Sequence, residues 1–466
     1  MEAIKINELI SAVKGTLINN LNNIDDNEII ITNLSTDSRN IGAGDLFIPL
    51  VGDKYDGHDF IPVAFEKGAS FCLSQRRDIK VPEGKGLIIV ADTKQALMDL
   101  ASYYRSCFSI PVIAVTGSVG KTSTKDMITS VLKQEYKVLS TKGNFNNEIG
   151  VPLTIFNLSK EHEIAVIEMG MNHFGEIHNL SKIAKPDMAV ITNIGTSHIE
   201  NLGSKEGILK AKSEIFDYMN KEGKVFLNGD DDLLKTLKNK LSFPICYFGF
   251  EDNNDIYAKN IEQKGLEGIN ASIVWDSNEI LIKIPSLGKH MVYNALVAVA
   301  IGLELGMTIE SIKEGIKKYH ASKMRMNISK TKKGNYIIND AYNASPQSMK
   351  AALDVLSELK EGKRKIAVLG DMLELGSYSK QAHEEVGYYL AKKSLDYLFT
   401  LGEEAKNISQ AAIDGGMDKE KVFAFLDQEE LFNKLNTIID TKDMILFKAS
   451  RGMYLEKTVE KIEEVK

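Results

Sequence analysis

Short apolar runs that end in polar residues recur down the chain, and each is followed by a stretch of helical spacing. After Pro111, Val112 to Val115 form a short apolar run rich in β-branched side chains that reads as a buried strand. Met127, Ile128, Val131 and Leu132 then share one helical face. HEIAVIEMG gives a strand over Ile164 to Ile167 that ends in Glu168, and DMAVITNIGTSH gives another with His198 just past its end. Residues 250–288 turn β-rich, and GKHMVYNALVAVAIGLELG is an apolar helix carrying one amide, Asn294. A second alternation begins near Ser322. NYIIND is a strand ending at Asp340, Ser345 and Pro346 open a helix as N-cap and first residue, and RKIAVLGDMLELG, LDYLFTLG and DMILFKASRG supply three more strands. Residues 1–108 carry shorter strand-like pieces broken by Gly and Asp. The pattern predicts an α/β chain of three domains: residues 1–108, a central parallel-sheet domain over 109–322, and a Rossmann-like domain over 323–466.

Composition narrows the class. The 466 residues are 43% hydrophobic and 26% charged, and the net charge of −7 comes without a basic run, so no footprint for nucleic acid or an anionic membrane is expected. Cys72, Cys107 and Cys246 lie far apart with no metal spacing, as in a reducing cytoplasm. The first residues lack the apolar core of a signal peptide, and no run approaches the ~20 apolar residues that span a bilayer. A cytoplasmic protein is expected.

Between the Val112 strand and its helix lie Thr116, Gly117, Ser118, Val119, Gly120, Lys121, Thr122 and Ser123. Glycines let backbone N–H groups close around phosphate oxygens, and a helix N-terminus adds partial positive charge. Lys121 adds a full charge toward the β- and γ-phosphates, and a Thr122 hydroxyl suits Mg²⁺. An ordinary strand-to-helix turn is the bland alternative; Gly-Lys-Thr after a buried strand favours a nucleotide triphosphate site, in a form shorter than the common eight-residue loop, which would want glycine where Val115 stands. Ligands of parallel sheets sit at the carboxyl ends of strands, which brings Glu168 and His198 to the same edge and makes an Mg²⁺ site the better reading.

Other positions leave alternatives open. Ile208, Lys212, Ile215, Phe216 and Met219 share a face, so Lys212 lies on apolar surface: it either snorkels to solvent or is held in a closed site where burial makes the amine reactive. Asn144, Asn146, Asn147 and Glu148 crowd one loop, suited to a polar ligand or to turn chemistry. Ser35, Thr36, Asp37, Ser38 and Arg39 could hold phosphate or sugar, or form a turn; Gly44–Phe47 and Asp56–Phe60 read as turns. Lys448, Ser450 and Arg451 form a cationic end to the last strand. No G-x-G-x-x-G is present.

Taken in order, these stations resemble the Mur ligase superfamily, ATP-dependent amide ligases of cell-wall precursor synthesis, over essentially the whole chain. NFNNEIGVP, DAYNASPQSM and GDMLELG look like motifs of the branch that adds D-alanyl-D-alanine. The third-residue branch shares the DSR and GDLF…DGHDF elements but differs at these three places, and its D-N-P-R signature is missing. The resemblance implies ATP on Gly117–Ser123, one Mg²⁺ on Thr122 and Glu168, and a second on His198 and Lys212, with Lys212 carbamylated. It implies Asn294, Arg325 and Asp340 on adenine, phosphate and ribose, with Lys121, His198, Lys212 and Arg325 as the catalytic set. The N-terminal Ser35, Asp37, Ser38 and Arg39 would hold the UDP-sugar of UDP-N-acetylmuramoyl-tripeptide, and Asn144, Asn147, Tyr342, Asn343, Ser450 and Arg451 would contact substrate, the C-terminal domain closing over D-Ala-D-Ala in a monomeric enzyme. Met291 stands where the family often has Asn. Weighed against this are a third-residue or folate polyglutamylating ligase, and an ATP-binding regulator that forms no bond.

Overall fold

The computed structural model describes residues 1–19 and 29–464. Three large sheets organise it, beside a two-stranded antiparallel pair of Ile4–Lys5 and Ile30–Ile31. The first has five strands in the order Thr16–Asn19, Gly86–Ile89, Phe71–Ser74, Leu46–Phe47, Leu34–Ser35, with only the Thr16–Asn19 edge antiparallel. The helix Thr93–Ser106, capped by Asp92 accepting from Gln95 N at 2.8 Å, leads out of it. Near its end the Arg105 guanidinium is buried and donates to the carbonyls of Ala184, Phe108 and Ile110 at 2.7 to 3.0 Å. A buried cation needs such partners, and here they lock the helix to the next unit.

The second sheet has nine strands. Val112–Thr116 lies between Ile164–Glu168 and Met188–Ile191, parallel to both, and parallel strands continue out to Ile256–Gln263. Every residue of Val112–Thr116 is buried because helices cover both faces. Ile113 and Val115 pack with helices Lys121–Leu132 and His290–Glu304, while Val112 and Ala114 face the opposite core with Leu97, Ile155 and Leu180. The sheet is not parallel throughout: Ile256–Gln263, Ile269–Trp275 and Asn278–Ile284 form an antiparallel meander at one edge, where hairpin-length connections replace helical crossovers.

The third sheet has six strands, Asn327–Lys330, Tyr336–Asn339, Met444–Lys448, Lys365–Gly370, Tyr397–Leu401 and Val422–Phe425 in spatial order, parallel but for the first. Ile338 and Leu446 face helices Pro346–Glu358 and Ser379–Ala391, and Ile337 and Ile445 face Gln428–Ile438 and Glu456–Glu464. The expected Ser345 N-cap is present, with its hydroxyl accepting from Ser348 N and Pro346 at the first helical position. Among the described residues no helix is long and apolar enough to cross a membrane.

Candidate active site

Two sheets present their carboxyl ends to one cavity of about 460 Å³. From the central sheet come Ser118 to Thr124 and Asn294; from the C-terminal unit come Arg325, Asp340, Asn343, Ser345 and Lys448. The phosphate loop needs its glycines. Gly117 has φ +149°, and a Cβ there would overlap the Thr192 side chain; Gly120 has φ +87° and starts the helix by accepting from Thr124 N at 2.8 Å. The segment after Met188–Ile191 pins the loop. Asn193 accepts from Ser118 N through its carbonyl and from Val119 N through Oδ1, both at 3.0 Å, and Thr192 Oγ1 donates to the Val119 carbonyl at 2.6 Å.

Lys121 folds back on this loop and donates to the Gly117 carbonyl at 2.7 Å. Burial pushes its pKa down, partly opposed by Glu168. Glu168 ends its strand and is 1% exposed. Its Oε1 accepts from Thr122 Oγ1 at 3.2 Å and from Asn146 Nδ2 at 2.7 Å, while Oε2 is buried without a partner. Arg325 reaches in from the C-terminal unit, its Nη2 donating to Thr122 Oγ1 at 3.1 Å and its guanidinium lying 4.4 Å from the Tyr342 ring centroid. Lys448 is buried, donating to Asp340 Oδ2 at 2.6 Å and to the Asn343 carbonyl at 3.0 Å.

Asn294 lines the cavity but spends its side chain locally. Its Oδ1 accepts from Thr124 Oγ1 at 2.8 Å, and its Nδ2 donates to Met291 Sδ at 3.3 Å, so the methionine in place of Asn still supplies an acceptor.

Lys212 does not snorkel. It is 1% exposed, no hydrogen bond reaches its amine among the described residues, and burial together with the Lys121 charge pushes its pKa well down. Lys205 and Lys210, off the apolar face, are exposed. His198 sits at φ +62° with Nδ1 2.7 Å from Glu374 Oε2 of the C-terminal unit. Among the described residues no three His, Cys, Asp or Glu side chains converge on one point. Mg²⁺ needs no such cage, since it binds through one or two carboxylates, waters and substrate phosphates.

The remaining positions are more scattered. Asn144 is exposed, and Asn147 Oδ1 accepts from Ile149 N and Gly150 N at the start of a short helix. In the N-terminal unit Ser35 Oγ accepts from Asp37 N, and Asp37 takes both Nε and Nη2 of Arg39, which holds the carboxyl down to about 2. Ser38 opens the short turn behind it. Ser450 Oγ accepts from Leu373 N at 2.9 Å, and Arg451 pairs with Glu456 at 2.6 Å on the surface. Asn146 reads in the sequence only as one amide of a crowded loop, and Glu374 is a contact the sequence reading did not single out. So is Tyr293, which lines the cavity with Asp230, donates to that carboxylate and stacks on Phe250 at 4.0 Å.

Comparison with known proteins agrees with this architecture. Residues 30–105 match "Mur ligase family, catalytic domain", residues 115–302 match "Mur ligase middle domain" and residues 324–451 match "Mur ligase, glutamate ligase domain". Over 459 residues the chain is 41% identical to the UDP-N-acetylmuramoyl-tripeptide–D-alanyl-D-alanine ligase of Bacillus subtilis (strain 168), covering 98% of each. The crystal structure of MurF from Acinetobacter baumannii superposes with a TM-score of 0.90 at 33% identity, covering 100% of both chains. MurF of Thermotoga maritima, solved in complex with ADP, superposes with a TM-score of 0.83 at 30% identity, covering 93% of this chain and 97% of that one. With a three-unit α/β fold, a glycine-lined phosphate loop and relatives matched from end to end, this chain belongs to the Mur ligase family.

Proposed function

We propose that this chain joins D-alanyl-D-alanine to UDP-N-acetylmuramoyl-tripeptide at the expense of ATP, giving ADP, phosphate and the pentapeptide precursor. The observation that carries the reading is the shared cavity, in which Arg325 of the C-terminal unit bonds Thr122 beside the Lys121 loop. The division at residues 108 and 322, a monomeric state and a cytoplasmic location belong to the same proposal.

A carboxylate resists amines because attack would pile charge on an anion. Its oxygen therefore attacks the γ-phosphorus of ATP, the bond to the bridging oxygen breaks and ADP leaves, so the acid becomes an acyl phosphate. The dipeptide's neutral amine then attacks the acyl carbon through a tetrahedral oxyanion; phosphate departs and the nitrogen loses a proton. Loop N–H groups and Lys121 hold the β- and γ-phosphates, and Arg325, steadied on the Tyr342 ring, neutralises the phosphoryl group in transfer. Asp340 and Lys448, neighbours at the end of adjacent strands, face the nucleotide's other end.

The orphaned Glu168 Oε2 beside the Thr122 hydroxyl is a hard oxygen donor set that fits Mg²⁺. Thr122 and Glu168 would hold one ion. His198 would hold a second with Lys212, whose buried amine, once it has given up its proton, can add to CO₂ and lose a further proton to become a carbamate. Bound there, the ions would supply positive charge to the phosphoryl oxygens.

The test is product formation. Purified chain given ATP, Mg²⁺, the UDP-linked tripeptide and D-Ala-D-Ala should release one phosphate per pentapeptide, read by coupled phosphate assay and mass spectrometry. ATP turnover without that product, or with another amine preferred, would replace the proposal.

A further inference from the structure

Two non-glycine residues in the left-handed backbone region meet across the boundary between the central and C-terminal units: His198 at φ +62° and Glu374 at φ +63°. Their side chains come within 2.7 Å, Nδ1 to Oε2, a close contact out of line for a hydrogen bond, so that Nδ1 is buried with no hydrogen-bond partner among the described residues. Such backbone is disfavoured outside glycine and persists where the surroundings hold it in place. Here they do. The Glu374 loop is tied to its own unit at three successive steps: Asp371 Oδ1 accepts from Ala405 N at 2.7 Å, His383 Nε2 accepts from Met372 N at 2.9 Å, and Ser450 Oγ accepts from Leu373 N at 2.9 Å. Two residues on, Gly376 passes so close to Glu200 that a Cβ would lie 3.0 Å from its Cγ. The loop therefore docks on the segment that carries His198, and Glu374 is the residue that reaches the imidazole.

We propose that Glu374 is a positioning residue: it fixes the His198 ring through Nδ1, leaving Nε2 for the reaction centre, and does so only while the C-terminal unit is docked. The Glu374 carboxylate is half-exposed, so the pair adds little to stability. Its value is orientation, because a carboxylate seated 2.7 Å from one ring nitrogen restricts which way the other can point. The assignment rests on the ligase reading for its kinetic consequence and on geometry alone for its structural one.

The experiment compares Glu374→Gln and Glu374→Asp with the unaltered 466-residue chain, using ¹⁵N-histidine-labelled protein without substrates. The chain has 8 histidines; the His198 ring signal is the one absent from His198→Ala. Glu374→Gln should move that signal and leave the others in place. In turnover assays it should lower kcat about 10–100-fold with the KM for ATP unchanged. Glu374→Asp should recover part of the loss, and Glu374→Gln should add no further loss in the His198→Ala background. An unmoved ring signal, or losses that multiply in the double variant, overturns the assignment. Should the unaltered chain make no pentapeptide, the ligase reading falls while the ring signal still decides the role of Glu374.

Discussion

Arg325 donates to the Thr122 hydroxyl at 3.1 Å, joining residues 203 positions apart and binding the C-terminal unit to the first turn of the phosphate-loop helix. The same guanidinium lies over Tyr342, so its plane and its direction are both fixed. In the proposed reaction this placement serves charge neutralisation at the transferring phosphoryl, so Arg325→Ala should lower kcat/KM by about 10²–10³. Arg325→Lys should recover little, since an ammonium lacks the planar fork that stacks and donates at once. Phosphate release at saturating ATP measures both. Equal rates for wild type and Arg325→Ala would remove the residue from the mechanism.

The asparagine loop allows a paired test. Asn146 donates to Glu168, whereas Asn147 accepts from two N–H groups at the start of Gly150–Ile155. Asn146→Ala should lower kcat with an unchanged melting curve. Asn147→Ala should lower stability by about 1 kcal/mol, as loss of an N-terminal cap does. Urea titration and turnover, run on both variants, separate the roles; matching effects in the two would mean the loop acts as a unit.

This loop shows why part of the site was legible in the sequence and part was not. The phosphate loop could be read because strand, glycines, Lys121 and helix are contiguous, and Lys212 because helical spacing put a cation on an apolar face. Which of three neighbouring asparagines meets Glu168 depends on a loop with no periodicity. The Glu374–His198 and Arg325–Thr122 pairs depend on how two units dock, which no local pattern encodes. The antiparallel meander was visible only as β-rich sequence, since strand direction is set by connections and not by side-chain alternation.

Arg39 speaks to the N-terminal unit. It is largely exposed and its only side-chain partner among the described residues is Asp37, so its guanidinium is available to a phosphate at little structural cost. Arg39→Ala should raise the KM for the UDP-linked substrate and leave kcat and the KM for ATP as they are. A change in the ATP KM instead would place the residue's influence at the nucleotide cavity.

Lys212 gives the sharpest pH test. Burial and the Lys121 charge depress its pKa in the folded chain, while in the unfolded chain it returns to ~10.4. Between those two values the unfolded state binds the extra proton, so this residue makes stability rise with pH and detracts from it most below the folded value. Lys212→Met keeps the volume and removes the amine. In CO₂-free buffer without nucleotide it should therefore be more stable than wild type at pH 7, with the difference shrinking toward pH 10. Turnover should behave oppositely: Lys212→Met and Lys212→Ala should both be inactive, by about 10²–10³ or more, and only the smaller side chain leaves room for an added short carboxylate to restore part of the rate. Urea midpoints across pH, with phosphate release with and without acetate, check both halves. A stability gap that does not narrow with pH would mean the amine is charged in the folded chain, and a fully active Lys212→Ala would mean it takes no part in the reaction.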